Sequence, residues 1–223
     1  MTNSPPPAFD AHGADSEAAV NWAKSVLNVT HGWVIFGRRV RVRARALADQ
    51  LGPGASVLDV GCGDGSIALE IMRLRPDVRI VGIDVFERRN AKISTTVFDG
   101  REIPFPRKAF DQVMFVDVLH HTNDPDVLVG EAVRVARSGL VIKDHLCEGL
   151  LAGPTLRLMD WVGNSGHNVN LPYNYLRLSD WTLLSGRNRL RTSGWTENLA
   201  LYPPPLSWVF GRRLHFVAQL TIG

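Results

Sequence analysis

Residues 56–71, SVLDVGCGDGSIALEI, constrain the fold of this chain more than any other stretch. A short apolar run with strand character passes into a helical pattern through a loop that contains Gly61, Gly63 and Gly65. Glycine allows left-handed backbone conformations and a close approach of a ligand to the main chain. A turn alone does not require three alternating glycines. The loop therefore predicts a ligand site where a strand ends and a helix begins.

The rest of the chain alternates apolar runs with helical patterns. Predicted strands lie in 56–61, 78–85, 96–100, 110–121 and 138–145, and 191–202 and 213–222 form a closing hairpin. Predicted helices lie in 17–30, 37–51, 66–76, 87–95, 124–137 and 179–187, with Asp124 or Asp126 near the start of the fifth and Ser179 as the N-cap of the last. Strands that are apolar on both faces indicate a parallel sheet covered by helices. The fold class is therefore α/β: a Rossmann-like, doubly wound, seven-stranded sheet, mostly parallel with an antiparallel C-terminal hairpin strand.

Length and composition favour a single globular domain. The chain has 223 residues, a net charge of +3 and two cysteines, which cannot form a disulfide framework. The Pro-rich residues 1–16 predict a flexible tail, and 17–223 predict one domain with a lid or substrate insert at 146–178. The start lacks the features of a secretory signal, and no apolar run is long enough for an integral membrane segment. A cytoplasmic protein is expected.

The spacing of the glycines separates two kinds of ligand. Dinucleotide binding favours G-x-G-x-x-G, but Ser66 stands at the third glycine position. The pattern D-x-G-x-G-x-G, typical of methyl-donor sites, is met in full by Asp59 and the three glycines. Asp84 ends the second strand about twenty residues later, where a carboxylate binds ribose hydroxyls. Asp99 ends the third strand, where a carboxylate can accept from an adenine amino group.

These motifs, together with FDQVMFVDVLHH at 110–121, carry a family resemblance. Residues 56–144 resemble the core of class I S-adenosylmethionine-dependent methyltransferases, especially the small-molecule (type 11) group that includes ubiquinone and menaquinone biosynthesis enzymes. The resemblance implies S-adenosylmethionine as the cofactor and a set of residues that bind it: Asp59, Gly61, Cys62, Gly63, Gly65, Asp84, Val85, Phe86, Asp99, Gly100 and Asp117. It implies methyl transfer to a small organic acceptor.

Histidines at strand ends are the candidates for proton transfer from the acceptor. His120 and His121 follow the fourth strand, and His145, which we favour slightly, follows the fifth. Each can instead serve as a structural hydrogen-bonding group, as histidines at strand ends often do. The polar segment GNSGHNVNLPYNY within 146–178 supplies the candidate substrate-binding residues Asn164, His167, Asn170, Tyr173 and Tyr175. No metal site is predicted.

Other functions remain open at this point. Arg88 and Arg89 could meet the 2′-phosphate of a nicotinamide cofactor in an NAD(P)-dependent oxidoreductase. A protein that binds S-adenosylmethionine without transferring its methyl group is a further alternative. Nucleic acid is disfavoured as a partner, because the fourth strand lacks the Asn/Asp-Pro-Pro-aromatic signature of exocyclic-amine methylation. The arginines at positions 38, 39, 41, 43 and 45 are interpreted as a solvated helix face.

Overall fold

The computed structural model describes residues 37–164, 174–197, 199–211 and 213–223, with the backbone alone at 161–164. The chain divides into two units, Met1–Arg38 and Arg39–Gly223, and every element named below lies in the second. The predicted tail 1–16 and helix 17–30 lie outside the described residues, so the proposed domain boundaries stay predictions.

Seven strands form one sheet. They are β1 Ser56–Val60, β2 Arg79–Asp84, β3 Thr95–Val97, β4 Phe110–Val116, β5 Ala136–His145, β6 Leu190–Glu197 and β7 His215–Ile222. Their order is β3-β2-β1-β4-β5-β7-β6. The first five are mutually parallel, whereas β7 is antiparallel to both β5 and β6. The predicted fold class is confirmed, including the reversed last strand.

Helices cover both faces of this sheet. They are α1 (of which residues 39–48 belong to this unit), α2 Ser66–Leu74, α3 Pro125–Val135, α4 Ala152–Asn164, α5 Leu178–Arg187 and α6 Leu206–Phe210. Side chains of α1 and α2 pack on one face with Val57 and Met114. Those of α3 and α5 pack on the other with Leu58 and Phe115. Alternate residues of the central strands therefore face opposite cores, as in a three-layer α/β domain. No helix among the described residues is long and apolar enough to cross a membrane.

Two local predictions are wrong. Residues 87–94 are not helical, because Lys92 is held to the glycine loop: its backbone N–H donates to the carbonyl of Asp64 at 2.9 Å, and its Nζ pairs with Asp64 Oδ2 at 2.9 Å. Ser179 is not the N-cap of α5. The N-cap lies two residues earlier, at Arg177, with Asp180 Oδ2 accepting from the Arg177 N–H at 2.9 Å. Asp124 does cap α3, with its side chain accepting from the N–H of Val127.

Candidate active site

The glycine loop leaves β1 at the carboxyl edge of the sheet in a left-handed conformation. Gly61 has φ +73°, and a Cβ there would lie 2.5 Å from Val118 Cγ2, so no side chain fits. Gly63 has φ +57°, and a Cβ there would meet nothing within 4 Å. Gly61 is therefore explained by packing within the protein. Gly63 instead faces open space, where a ligand can lie against the backbone.

Asp84 ties this loop to the end of β2. Its Oδ2 accepts from the N–H of Gly63 at 2.8 Å, and its Oδ1 accepts from the N–H of Phe86 at 2.9 Å. The side chain is 5% exposed. Two backbone donors thus hold the carboxylate in a fixed orientation at the sheet edge, and each oxygen keeps a second lone-pair direction.

A cavity of about 290 Å³ opens between the glycine loop and the ends of β2 and β4. The predicted donor residues that line it are Gly61, Gly63, Asp84, Val85, Phe86, Gly100 and Asp117. The lining also includes His121, predicted as a catalytic candidate, and Arg88, named for the nicotinamide alternative. Four further lining residues were missed by the sequence analysis: Phe98, Val118, Thr122 and Leu128. The phenyl ring of Phe98 and the exposed ring of Phe86 give this cavity aromatic walls. Backbone amides, two carboxylates and aromatic rings together suit an aromatic nucleoside.

Four predicted donor residues do not belong to the lining of this cavity. Asp59 is buried, and burial, with a further contribution from the charge of Asp84, raises its pKa to about 7. The Cys62 thiol points toward β2 and β3, with Sγ 3.6 Å from Thr95 Oγ1, and burial raises its pKa to about 12. Gly65 is the N-cap of α2. Each of these three supports the loop from behind the cavity.

Asp99, the fourth, is exposed on the loop after β3. Its Oδ1 accepts from the N–H groups of Arg101 and Glu102, both at 2.8 Å. These hydrogen bonds hold the pKa of the Asp99 carboxyl below its usual value. The side chain therefore organises its own loop and leaves the neighbouring Gly100 on the cavity wall.

Asp117 follows β4 and lies between the 290 Å³ cavity and a second polar region. It has φ +56°, a conformation that a non-glycine residue adopts at a cost of about 1 kcal/mol or more. Its Oδ2 lies 2.8 Å from Arg43 Nη2, and its Oδ1 contacts the ammonium of Lys143. Burial opposes ionisation, but these two cations hold the pKa of Asp117 well below its usual range. Arg43, whose side chain is only 12% exposed, is thus an ion-pair partner of Asp117, and its interpretation as part of a solvated face is wrong.

Beside Asp117 lies the histidine cluster, defined as His120, His121 and His145 with Asp144 and Asp160. His120 lies in the 3₁₀ turn Leu119–His121 and is 2% exposed. Its Nδ1 is 2.6 Å from Asp144 Oδ1, and its Nε2 is 3.5 Å from Asp160 Oδ2. The His121 ring lies against it, with 3.9 Å between the ring centroids. The three predicted catalytic histidines therefore do come together, at the ends of β4 and β5.

The pKa values of the side chains in this cluster are shifted in different directions. Burial opposes ionisation of Asp144. The charge of His120 and the hydrogen bond that it makes with Asp144 nevertheless hold the pKa of Asp144 far below the usual range. Burial favours neutral His120, but the neighbouring carboxylates raise its pKa overall. For His121, burial and then the charge of His120 lower the pKa to about 4. Burial and His120 likewise lower the pKa of His145. Of the three histidines, His120 is therefore the one whose surroundings favour the protonated form.

The predicted substrate residues fall largely outside the described part of the chain. His167, Asn170 and Tyr173 lie there, and so does the side chain of Asn164. Tyr175 is described: its hydroxyl donates to Asp160 Oδ2 at 2.5 Å, and its ring centroid is 5.7 Å from that of His120. Asp144 and Asp160 were not singled out from the sequence.

A larger cavity of about 520 Å³ lies elsewhere, among α5, β6 and β7. Its walls are mainly apolar and include Trp181, Trp195 and Phe216. It contains none of the predicted donor residues. Size alone would favour it as the ligand site, but the backbone amides, the fixed carboxylate and the charged cluster all lie at the smaller cavity.

Comparison with known proteins relates the chain to methyltransferases. A family described as "Methyltransferase domain" matches residues 58–142. An uncharacterized methyltransferase of Mycobacterium bovis is 31% identical over 78% of this chain and 83% of its own length. Ajmaline N-methyltransferase of Rauvolfia serpentina is 31% identical over 57% of this chain and 55% of its own length.

A solved structure shows the same fold. The SAM-dependent methyltransferase of Thermotoga maritima matches with a TM-score of 0.63 at 16% identity, covering 90% of this chain and 97% of that one. At such low identity the likeness concerns the fold alone. The chain spans between about a third and about half of the length of the first curated relatives that it matches.

Proposed function

The chain belongs to the class I S-adenosylmethionine-dependent methyltransferases, and from this premise we propose that it transfers a methyl group from S-adenosylmethionine to a small organic acceptor. The observation that carries the proposal is the 290 Å³ cavity, in which Gly63 offers an unobstructed backbone beside the fixed carboxylate of Asp84. S-adenosylmethionine supplies a methyl group on a sulfonium, which is already activated toward in-line displacement. The protein therefore contributes mainly position and orientation.

Each wall of the cavity suits one part of the donor. The Asp84 carboxylate, held by the N–H groups of Gly63 and Phe86, is placed to accept from ribose hydroxyls. Val85, Phe86 and Phe98 offer apolar and aromatic surface to an adenine base. The glycine-loop backbone suits the methionine end. Asp117 lies at the boundary between this cavity and the histidine cluster, so the acceptor is proposed to bind on the cluster side.

The acceptor side favours a small polar molecule. Lys143, His120, Asp144 and Asp160 are buried there, and Arg43 and Asp117 are partly buried beside them. The histidine cluster is proposed to take the proton that an oxygen or nitrogen acceptor loses on methylation. Exclusion of nucleic acid as a substrate and a cytoplasmic location stay predictions from the sequence.

Donor binding is tested with a matched pair of glycine variants. Gly63→Ala and Gly54→Ala both place a Cβ at positive φ, +57° and +64°, with nothing within 4 Å. Both should therefore lose about 1 kcal/mol of unfolding free energy to backbone strain. Only Gly63 lines the cavity. We expect calorimetric affinity for S-adenosylhomocysteine to fall at least tenfold in Gly63→Ala and to stay unchanged in Gly54→Ala.

Asp84→Ala provides a second, more severe test, because it removes the carboxylate and its two backbone hydrogen bonds together. Binding of S-adenosylhomocysteine should be lost. Equal binding by wild type, Gly63→Ala and Asp84→Ala would overturn the donor assignment.

Two alternatives are separated by ligand choice. Arg88 lines the cavity, with its guanidinium 5.5 Å from the centroid of the Phe86 ring, and this cation is the feature that favours a nicotinamide cofactor with a 2′-phosphate. Binding of NADPH without binding of S-adenosylhomocysteine would favour the oxidoreductase. Tight donor binding without S-adenosylhomocysteine formation across a panel of phenols, amines and carboxylic acids would favour a protein that binds the donor without transfer.

A further inference from the structure

Two imidazoles and one carboxylate converge beside the donor cavity. His120, His121 and Asp160 each offer one ligand atom, and these atoms lie within 4.8 Å of one another. We infer that these three residues form a binding site for a divalent first-row transition metal. The sequence pattern predicts no metal site, because Asp160 lies about 40 positions from the histidines and belongs to a different helix.

The orientation of His120 is the first argument. Asp144 fixes the ring through Nδ1, at 2.6 Å, and is itself held by the N–H groups of Leu119 at 3.0 Å and His145 at 2.7 Å. The opposite nitrogen, Nε2, is buried and has no hydrogen-bond partner among the described residues. A carboxylate on one ring nitrogen with the other nitrogen available is the arrangement that orients metal-binding histidines.

The position of Asp160 is the second argument. Its Oδ2 lies 3.5 Å from His120 Nε2. Two ligands at metal distances of about 2.0–2.2 Å and a tetrahedral angle stand roughly 3.4 Å apart. The observed gap therefore accommodates a metal ion with little movement. Tyr175 donates to Asp160 Oδ2 at 2.5 Å and orients the carboxylate, as neighbours of metal-binding carboxylates commonly do.

The three metal-ligand residues indicate which metal ions fit and what a bound metal would do. Two histidines and one carboxylate suit Fe²⁺, Co²⁺ or Zn²⁺ and leave coordination positions open. His121 also lines the donor cavity, so those positions lie next to the space proposed for the methyl donor. Resting on the proposed function, the acceptor is then a hydroxyl compound whose oxygen binds the metal. A metal held by these residues would lower the hydroxyl pKa and so replace proton transfer to the histidines: the proton would leave to solvent, and the oxygen would take the methyl group as the sulfonium becomes a thioether.

The test is metal binding by the full chain without a polyhistidine tag. Chelator-treated protein is titrated with Co²⁺, and visible d–d absorption is recorded alongside equilibrium dialysis with Zn²⁺. We expect one Co²⁺ per chain with bands of a low-symmetry nitrogen–oxygen site. Asp160→Asn and His121→Asn should each weaken binding at least tenfold. Asp126→Asn, which alters an acid at the start of α3 outside the cluster, should bind as wild type.

The outcomes separate the metal site from the methyl donor. Affinity for S-adenosylhomocysteine is measured on the same preparations, so loss of donor binding and loss of metal binding are seen independently. If one variant fails to fold, the other and the wild-type stoichiometry still decide. Absence of stoichiometric Co²⁺ and Zn²⁺ binding by folded wild type, or unchanged binding in both Asp160→Asn and His121→Asn, would overturn the inference.

Discussion

Asp59 has an environment that opposes its own ionisation. It is 2% exposed, its Oδ1 has no hydrogen-bond partner among the described residues, and burial with the charge of Asp84 raises its pKa to about 7. In the unfolded chain an aspartate titrates near 4. The folded state therefore binds the proton more tightly, and stability falls as pH rises from about 4 to about 7.

Asp59→Asn should remove this penalty. At pH 8 the donor-free variant should gain on the order of a few kcal/mol of unfolding free energy over wild type, and at pH 4 almost none. Chemical denaturation at both pH values measures the difference. Asp49→Asn, at an exposed position, is the control and should show no comparable pH-dependent gain. An Asp59→Asn effect equal at both pH values would contradict the assignment of the raised pKa.

The positions of single residues were predicted where a local motif carried the information, while their roles in binding stay predictions. Gly61, Gly63 and Asp84 lie where the spacing placed them, because strand ends in a parallel sheet meet at one edge. Arg43 and Asp160 were not predicted as partners of Asp117 and His120. Their roles depend on α1 and α4 docking over the sheet edge, and neither position has a local pattern that reveals a buried partner.

At the scale of elements, the pairing of β5 with β7 depends on one glycine. A Cβ on Gly139 would lie well inside van der Waals contact with the backbone carbonyl oxygen of Leu220 on β7. Gly139→Ala should therefore push the two strands apart and lower the unfolding free energy by roughly 1–3 kcal/mol or more.

Gly130→Ala is the matched control within α3. A Cβ there finds its nearest neighbour, Asn188 Oδ1, at an ordinary 3.5 Å. Because glycine inside a helix costs up to about 1 kcal/mol relative to alanine, this variant should be slightly more stable than wild type. Thermal unfolding compares the two. A Gly139→Ala protein as stable as Gly130→Ala would show that β7 does not require the close backbone approach.

Helices and strands were predicted from the periodicity of apolar residues where burial enforces that periodicity. The prediction failed where tertiary contacts override the local pattern. The central strands and α3 occur as expected, since their apolar residues fill the two cores. The segment 87–94 has a helical composition, yet Lys92 bonds to Asp64 and Ile93 packs over Gly65. Such contacts with the glycine loop hold the segment in a turn-rich conformation that no local propensity predicts.

At the scale of the whole molecule, the two cavities lie at different positions along the strand order. The order β3-β2-β1-β4-β5-β7-β6 reverses between β1 and β4, and the small cavity opens beyond these strands. The larger cavity lies at the other side of the sheet order, where β7 and β6 close the domain. Ligands of doubly wound sheets bind at the point where the strand order reverses.

Hydrogen–deuterium exchange should distinguish these regions in the intact chain. On adding S-adenosylhomocysteine, amides of Gly61–Gly65, of the turn after Asp84 and of the segment from Asp117 to Thr122 should exchange more slowly, because the ligand lies against them. Peptides from α5 and β6, which line the larger cavity, should change little. Gly63→Ala should lose the protection, whereas Gly54→Ala should retain it. Protection centred on Trp181 and Trp195 would instead place the ligand among α5, β6 and β7, and the glycine loop would then be a structural turn alone.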